Sequence, residues 1–256
     1  MSDPYLLPEI FDFIIDLLHD NPKALNECCL LSKSWVRRTR KHLFAEIQIR
    51  TTGDLTSWKE TFPNPRSSPG YYARTLFIGR SQVVREAGGE EGGWVRAFSR
   101  IERLTVSCPD FDPVEISLVP FRTLSPFIKS LQVTSLLLPR SQVFSLIHSL
   151  PLLENLTLIG HDHTSAINDD ELDAPPTSPA LTGTLVLLLY QGMANNARRL
   201  LNLPNGLHFR KLNLSWRGDE ELRLVERLVE ACSDTLEYLE IAYGLDGEIY
   251  STSPSS

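Results

Sequence analysis

The chain has 256 residues, 42% of them hydrophobic, a net charge of −7 and a pI of about 5.4. This acidic balance argues against a general nucleic-acid binder, which would carry a basic footprint. The four cysteines form no C-x-x-C pair, and the most apolar run, residues 181–190, is far shorter than a membrane span. Residues 1–12 are too acidic for a signal peptide. We therefore expect a reduced compartment, cytosol or nucleus, and neither a membrane nor a nucleic-acid partner.

The chain opens with a predicted amphipathic helix that begins at Pro8. Proline suits the first turn of a helix, because an amide in that turn needs no intrahelical partner. Apolar side chains then recur at helical spacing; they are Ile10, Phe13, Ile14, Leu17 and Leu18. The helix should end before Pro22, since the residue before a proline disfavours helical dihedrals.

A second apolar stripe follows the break and predicts at least one more helix. Its members are Leu25, Cys28, Cys29, Leu31 and Trp35. About 40 residues are too few to enclose a self-sufficient core. Apolar surface should therefore remain for the downstream domain or for a partner.

This segment resembles an F-box, the short helical module that ties a substrate receptor to a ubiquitin ligase, and it is similar to the F-boxes of mushroom-forming fungi. The resemblance is carried by Leu7-Pro8 at the first helix, by the L-S-K-S-W stretch from Leu31 to Trp35, and by the closing Leu43-Phe44 pair. It covers about one sixth of the chain. The alternative is an ordinary N-terminal helical cap on a repeat domain.

The F-box resemblance implies a partner and the residues that meet it. The partner would be a Skp-type adaptor and, through it, a cullin. Five positions match the family motif and would support that interface, directly or by holding the helices; they are Leu7, Pro8, Ile10, Leu31 and Trp35.

After residue 70 a leucine-centred strand pattern recurs seven times. The central leucines lie at positions 76, 104, 131, 156, 185, 212 and 239, with gaps of 25 to 29 residues. This period and the L-x-x-L-x-L pattern resemble leucine-rich repeats. The resemblance implies a short solenoid in which stacked units form a parallel sheet, and the five leucines at 104, 131, 156, 212 and 239 should point into one core. The alternative is a doubly wound α/β fold, which also alternates strands and helices.

The predicted fold class is therefore α/β, with an F-box-like helical module before a leucine-rich-repeat-like domain. The predicted boundaries are 5–50 for the module, 70–245 for the repeats and 246–256 for a disordered tail. Return helices are predicted at 94–100, 142–150, 194–203 and 219–232, and a mobile acidic loop at 162–179. The repeats depart from the strict pattern, because the asparagine that usually follows the strand is missing and the fifth unit is degenerate.

Catalytic and metal chemistry finds no support in the sequence. His161-Asp162-His163 has metal-ligand residue types, but a polar loop explains it better, because structural zinc sites need a closed tetrahedral set. Cys28 and Cys29 lie on an apolar stripe without an evident histidine partner. We therefore expect no enzyme activity, no cofactor and no metal.

The predicted function is substrate recognition in a Skp–cullin–F-box ubiquitin ligase, with the repeats choosing an unidentified protein for ubiquitin-dependent degradation. Strand residues beside each core leucine should face the outside of the sheet, because alternate side chains point to opposite faces. The best candidates for target contact are Lys211, Asn213, Tyr238 and Glu240, on two adjacent repeats. The alternative is a leucine-rich-repeat scaffold for protein binding that is unconnected with ubiquitin.

Overall fold

The computed structural model describes residues 8–88, 92–108, 117–124, 126–135, 140–160, 179, 181–189, 194–216 and 219–243. Within them the protein is mixed α/β, with eight α-helices and one eight-stranded parallel sheet. The helices are α1 Pro8–Leu17, α2 Pro22–Leu31, α3 Lys33–Leu43, α4 Thr52–Thr61, α5 Ser81–Gly88, α6 Arg140–His148, α7 Ala194–Leu201 and α8 Asp219–Ala231. The strands are β1 Glu46–Ile49, β2 Thr75–Gly79, β3 Arg103–Cys108, β4 Ser130–Ser135, β5 Asn155–Gly160, β6 Thr184–Leu189, β7 Lys211–Trp216 and β8 Tyr238–Tyr243.

The strands follow one another across the sheet in chain order, and every neighbouring pair is parallel. Their register aligns two rows of apolar side chains on one face. The first row is Ile47, Leu76, Leu104, Leu131, Leu156, Leu185, Leu212 and Leu239, and the second is Ile49, Ile78, Val106, Val133, Leu158, Leu187, Leu214 and Ile241. Through β7 all these side chains belong to a single buried cluster.

The prediction of one shared leucine core is confirmed for Leu104, Leu131, Leu156 and Leu212, which are all buried. It is wrong for Leu239, whose side chain is 41% exposed. β8 is the last strand of the described sheet, and no described helix follows it as α4 follows and contacts β1 at the other edge.

A repeated hydrogen-bond arrangement sets the start of most strands. The carbonyl oxygen just before one strand accepts the two amides that open the next strand; Arg74 O, for example, accepts Glu102 N at 2.8 Å and Arg103 N at 3.0 Å. Ala45, Glu102, Lys129, Gly183 and Arg210 do the same for their following strands. This regular acceptor ladder keeps successive strands in register.

Between β5 and β6 the side chain of Asn155 replaces the backbone carbonyl as acceptor for one of the two amides. Glu154 O accepts only Gly183 N, at 3.0 Å, and Thr184 N donates instead to Asn155 Oδ1 at 2.9 Å. Gly183 is needed here because a Cβ at this position would lie 3.0 Å from Glu154 O and against the Asn155 amide. The departure falls on the unit that the sequence marks as degenerate.

The sheet begins earlier than the seven-unit pattern indicated. β1, with the sequence EIQI, pairs with β2 and buries Ile47 and Ile49. It escaped the pattern because isoleucines replace the central leucine. It lies inside the range 5–50 assigned to the helical module, and α4 follows it before residue 70.

The connections between strands are partly helical. Helices α6, α7 and α8 occupy three of the four predicted return positions. The fourth, at 94–100, holds a 3₁₀ helix at Gly92–Ala97, and another 3₁₀ helix at Val119–Thr123 precedes β4. Helices α4 and α5 were not predicted. The tail 246–256 and residues 162–178 of the predicted loop lie outside the described residues. None of the described helices has the length and apolar content needed to cross a bilayer.

Candidate functional site

The N-terminal three-helix module, α1–α3, has a small interior of its own. Ile15, Leu25 and Cys28 are buried there, and the ring of Phe11 packs against that of Trp35 with centroids 5.1 Å apart. The helices are bounded by polar caps, because Asn21 Oδ1 accepts Ala24 N in α2 and Ser32 Oγ accepts Ser34 N in α3. The module thus has defined helix ends around a minimal core.

A polar cluster joins α1 to α3 beside this interior. Asp16 accepts two hydrogen bonds from the guanidinium of Arg38, one of them from Nε to Oδ1 at 2.7 Å, and its Oδ1 lies 2.7 Å from His42 Nε2. The Arg38 hydrogen bonds are the largest cause that holds the pKa of Asp16 well below its usual range, and the His42 contact adds to them. The cluster therefore fixes the angle at which α1 meets α3.

The most apolar side of α1 faces outward rather than into the module. Residues at the i, i+3, i+4 and i+7 positions share one face of a helix. On α1 these are Ile10, Phe13, Ile14 and Leu17, and all four are exposed, Phe13 by 63% and Leu17 by 65%. The buried side chain is Ile15, which lies off the stripe that the sequence indicated. Such a contiguous exposed apolar face is typical of an interaction surface.

The end of α2 presents a second exposed apolar area. Leu30 is 87% exposed and Leu31 is 72% exposed, at the junction where Ser32 separates α2 from α3. Among the predicted adaptor-binding residues, Ile10 and Leu31 are exposed, and Trp35 is half-buried against Phe11. Pro8 begins α1, and Leu7 lies outside the described residues. Sequence reasoning did not assign Phe13, Leu17 and Leu30 to the interface, although the spacing of Phe13 and Leu17 was visible.

The predicted target-binding residues lie together on the outer face of β7 and β8. Lys211 is in register with Tyr238, and Asn213 with Glu240. Asn213 Nδ2 donates a hydrogen bond to Glu240 Oε2 at 2.8 Å. Lys211, Tyr238 and Glu240 are exposed, whereas Asn213 is half-buried. The four side chains thus form one small polar surface that carries a single large aromatic ring.

An apolar strip crosses the same sheet face at β5 and β6. Thr157 is in register with Val186, and Ile159 with Leu188; Ile159, Val186 and Leu188 are half-buried. The predicted target contacts, Lys211, Asn213, Tyr238 and Glu240, did not include this strip. The signal was available, since Leu185–Leu189 is uninterrupted apolar sequence. The face therefore combines an apolar centre with polar neighbours, the composition of many protein interfaces.

Reactive or ligand-binding side chains are sparse. The described residues contain no group of three or more histidine, cysteine or acidic side chains placed to hold a metal ion, and His161–His163 lie outside them. All four cysteines are free thiols, and burial raises the pKa of Cys232. Burial also lowers the pKa of His148. Both shifts have desolvation as their main cause, as expected for groups held in a packed interior.

No protein-family model matches the chain, and no curated protein matches it. What the molecule does must therefore be inferred from its own residues.

Proposed function

We propose that the chain is a substrate-recognition subunit of a Skp–cullin–F-box ubiquitin ligase. Residues 8–44 would act as the F-box and bind a Skp-type adaptor, and the sheet would act as a leucine-rich-repeat solenoid that holds a protein target. The proposal rests on three motifs that resemble those of an F-box in order and spacing. They are Leu7-Pro8, the stretch from Leu31 to Trp35, and Leu43-Phe44. The observation that carries it is the exposed apolar face of α1, together with Leu30 and Leu31.

The apolar face of α1 would anchor the adaptor. Fully burying one large apolar side chain contributes about 1.5–3 kcal/mol, so Phe13 and Leu17 alone could supply a large part of a specific interface. Interfaces concentrate their binding energy in such anchors. The Asp16–Arg38 contacts keep this face at a fixed angle to α3. Leu31 and Trp35 then have distinct roles, since Leu31 is free to touch a partner and Trp35 supports α1 through Phe11.

The sheet supports the second half of the proposal. Eight parallel strands in chain order form a sheet with a continuous outer face. The inner face of the sheet carries the two aliphatic rows, which are buried from β1 to β7. The outer face offers the apolar strip of Ile159, Val186 and Leu188, and the polar surface of Lys211, Asn213, Tyr238 and Glu240. This composition is better suited to binding a protein or peptide through hydrogen bonds than to binding a small apolar ligand, which needs a deep apolar pocket.

Adaptor binding is tested by co-purification of the full chain with a fungal Skp-type adaptor. The variant Phe13→Ala/Leu17→Ala should lower adaptor affinity by more than about tenfold, because each anchor contributes about 2 kcal/mol or more. The matched control is Phe127→Ala/Leu152→Ala, which truncates the same residue types at exposed positions outside the module. The control should bind as the parent does, with both variants showing unchanged helicity.

The result also distinguishes a ubiquitin-ligase subunit from a binding scaffold unconnected with ubiquitin. If the parent chain fails to bind the adaptor, the ligase proposal is wrong, and a binding scaffold unconnected with ubiquitin takes its place. Equal loss in both double variants would point to general destabilisation rather than an interface on α1.

Target binding is tested separately, in cells with the proteasome blocked. Replacing Lys211, Asn213, Tyr238 and Glu240 together by alanine should remove specific proteins from the captured set measured by mass spectrometry, while the adaptor is retained. Replacing Ile159, Val186 and Leu188 by serine tests in the same way whether the apolar strip binds a target. If neither variant changes the captured set, targets bind elsewhere than on the described sheet face.

A further inference from the structure

A basic cleft lies where the helical module meets the sheet, on the side of α3 that faces the segment before β2. Its volume is about 510 Å³. It is lined by Asp12, Ser34, Arg37, Arg38, Lys41, Tyr71, Tyr72, Arg74 and Arg100. Five cationic side chains therefore surround one small space in a chain whose net charge is −7. Nothing in the proposed ligase function requires them.

Two of the five cations already have carboxylate partners. Arg38 is held by Asp16, with Asp12 at 3.8 Å, and Arg74 Nη1 donates to Glu102 Oε1 at 2.6 Å. The guanidinium of Arg100 lies 4.2 Å from the centre of the Tyr71 ring.

The other three cations are not neutralised by this part of the molecule. No described acidic side chain lies within ion-pairing distance of Arg37, Lys41 or Arg100. All three are exposed. Among the described residues, five cations face the three carboxylates of Asp12, Asp16 and Glu102, so the cleft keeps a net charge of +2. Such an arrangement raises the local concentration of anions.

The donors in the cleft fit phosphoryl oxygens. Arginine presents a planar fork that binds phosphate through two hydrogen bonds, and lysine adds a compact point charge. The hydroxyls of Ser34, Tyr71 and Tyr72 are further donors. A phosphoryl monoester brings about two negative charges in a small volume, whereas a carboxylate brings one. Three such cations lining one cleft therefore match a phosphorylated anion better than a short acidic side chain.

We propose that this cleft binds a small soluble anion with two or more phosphoryl groups. Its volume lies within the range of about 300–1,000 Å³ that is usual for small-molecule sites. The walls come from three places in the chain: α3, the segment 71–74 before β2, and Arg100 before β3. A ligand that contacts all three would tie the helical module to the sheet. It would therefore stabilise the folded chain, because it binds that state and not the unfolded one.

Tripolyphosphate is the probe, titrated into the full chain by calorimetry at about 0.15 M salt, where long-range attraction is screened. We expect binding of one molecule per chain and a rise in unfolding temperature. Arg37→Ala/Lys41→Ala should weaken binding by at least about tenfold, since each removed partner is a charged hydrogen-bond donor. Arg100→Gln is the independent variant, from a part of the lining outside α3, and should also weaken binding.

The matched control is Lys33→Ala/Arg40→Ala, which removes two positive charges from the same helix but none from the cleft. Its affinity should equal that of the parent. Equal weakening in both double variants would overturn the proposal, because the attraction would then be general and not local. Failure of tripolyphosphate to bind the parent would also overturn it.

Two further arms identify the source of the anion. If the ligand is soluble, vesicles that carry a bisphosphorylated inositol headgroup should not sediment the chain. Sedimentation that depends on Arg37 and Lys41 would show instead that the cleft binds the phosphoryl groups of a lipid, and would overturn a soluble ligand. A peptide of consecutive glutamates should bind more weakly than tripolyphosphate. Tighter peptide binding would assign the cleft to a protein partner and overturn a phosphoryl ligand.

Discussion

The sheet and the helical module bury apolar surface to very different degrees. From β1 to β7 both aliphatic rows of the sheet are enclosed in one cluster. The module buries Ile15, Leu25 and Cys28, yet leaves Phe13, Leu17, Leu30 and Leu31 exposed. The difference lies in what covers the apolar faces of the two regions. In the sheet the cover is supplied by neighbouring units, whereas in the module the described residues bury Ile15 but leave the outer face of α1 exposed.

Leucine therefore has two different roles in this protein, one in folding and one at the exposed surface of the helical module. A leucine in a sheet row contributes to folding stability, because it lies between adjacent strands. A leucine on the outer face of α1 or at the end of α2 contributes little to folding and is available to a partner. Measurements of stability and of binding should therefore respond to different leucines.

The largest effect should follow Leu156→Ala in the centre of the sheet. Leu156 is fully buried and lies between Leu131 and Leu185 in the register. We expect a loss of about 2–5 kcal/mol in the free energy of unfolding, measured by chemical denaturation, as is usual for a buried leucine. Because units contact mainly their neighbours, hydrogen exchange should rise first in β4, β5 and β6. Undiminished protection in these strands would contradict the role of Leu156 in the shared core.

A smaller loss should follow Asn155→Ala. Its side-chain oxygen accepts Thr184 N at 2.9 Å and replaces the carbonyl used at other strand starts. Removing it leaves a partly buried amide without its acceptor, which costs about 1–3 kcal/mol. The matched control is Asn213→Ala, whose side chain bonds only the exposed Glu240 and should change the unfolding free energy by no more than about 0.5 kcal/mol. Similar losses in both variants would show that Asn155 has no special part in the strand start.

Several features of the fold were predictable from the sequence, and each has a physical reason. The repeated leucine spacing predicted seven of the eight strands, since a row position must be apolar in every unit. Their parallel order was implied by the resemblance to leucine-rich repeats. Helix α8 was predictable because its buried stripe is long. Strand β1 was missed because short isoleucine strands carry little periodic signal.

The interaction surfaces were harder to predict than the fold. The α1 stripe was visible, but its direction was not, because a pattern cannot tell whether an apolar face meets the chain itself or a partner. The double role of Asn155, a face residue that also starts β6, depends on a backbone departure that sequence does not show. The basic cleft was not predicted, because the basic run from Arg37 to Lys41 is by itself typical of a solvated helix face. Only the fold places Arg74 and Arg100 beside it.

A modest, pH-dependent effect should follow Asp16→Asn. The pKa of Asp16 is lowered in the folded chain, chiefly by the Arg38 hydrogen bonds. Its contribution to stability is therefore fully present above the unfolded value of about 3.9 and is lost as the pH falls through the lower folded value. Because the side chain is 38% exposed, we expect no more than about 1 kcal/mol at neutral pH.

The measurement for Asp16 is urea denaturation at neutral and at strongly acidic pH. The difference between parent and Asp16→Asn should shrink at the acidic pH, because the parent carboxylate is then protonated. Asp12→Asn is the matched control, since Asp12 lies 3.8 Å from Arg38 and is more exposed; it should have the smaller effect. A difference that grows on acidification would contradict the assignment.

The smallest stability effect should come from Leu30→Ser/Leu31→Ser, although both changes replace leucine by a polar residue. The two side chains are 87% and 72% exposed, so little apolar surface returns to water on unfolding. We expect the unfolding free energy to change by no more than about 0.5 kcal/mol, the usual range for surface substitutions. Adaptor affinity should nevertheless fall measurably if these leucines meet the adaptor. Loss of stability comparable to that of Leu156→Ala would show that the end of α2 is covered within the chain, and would remove it from the proposed interface. Unchanged stability with unchanged adaptor binding would restrict the interface to the outer face of α1.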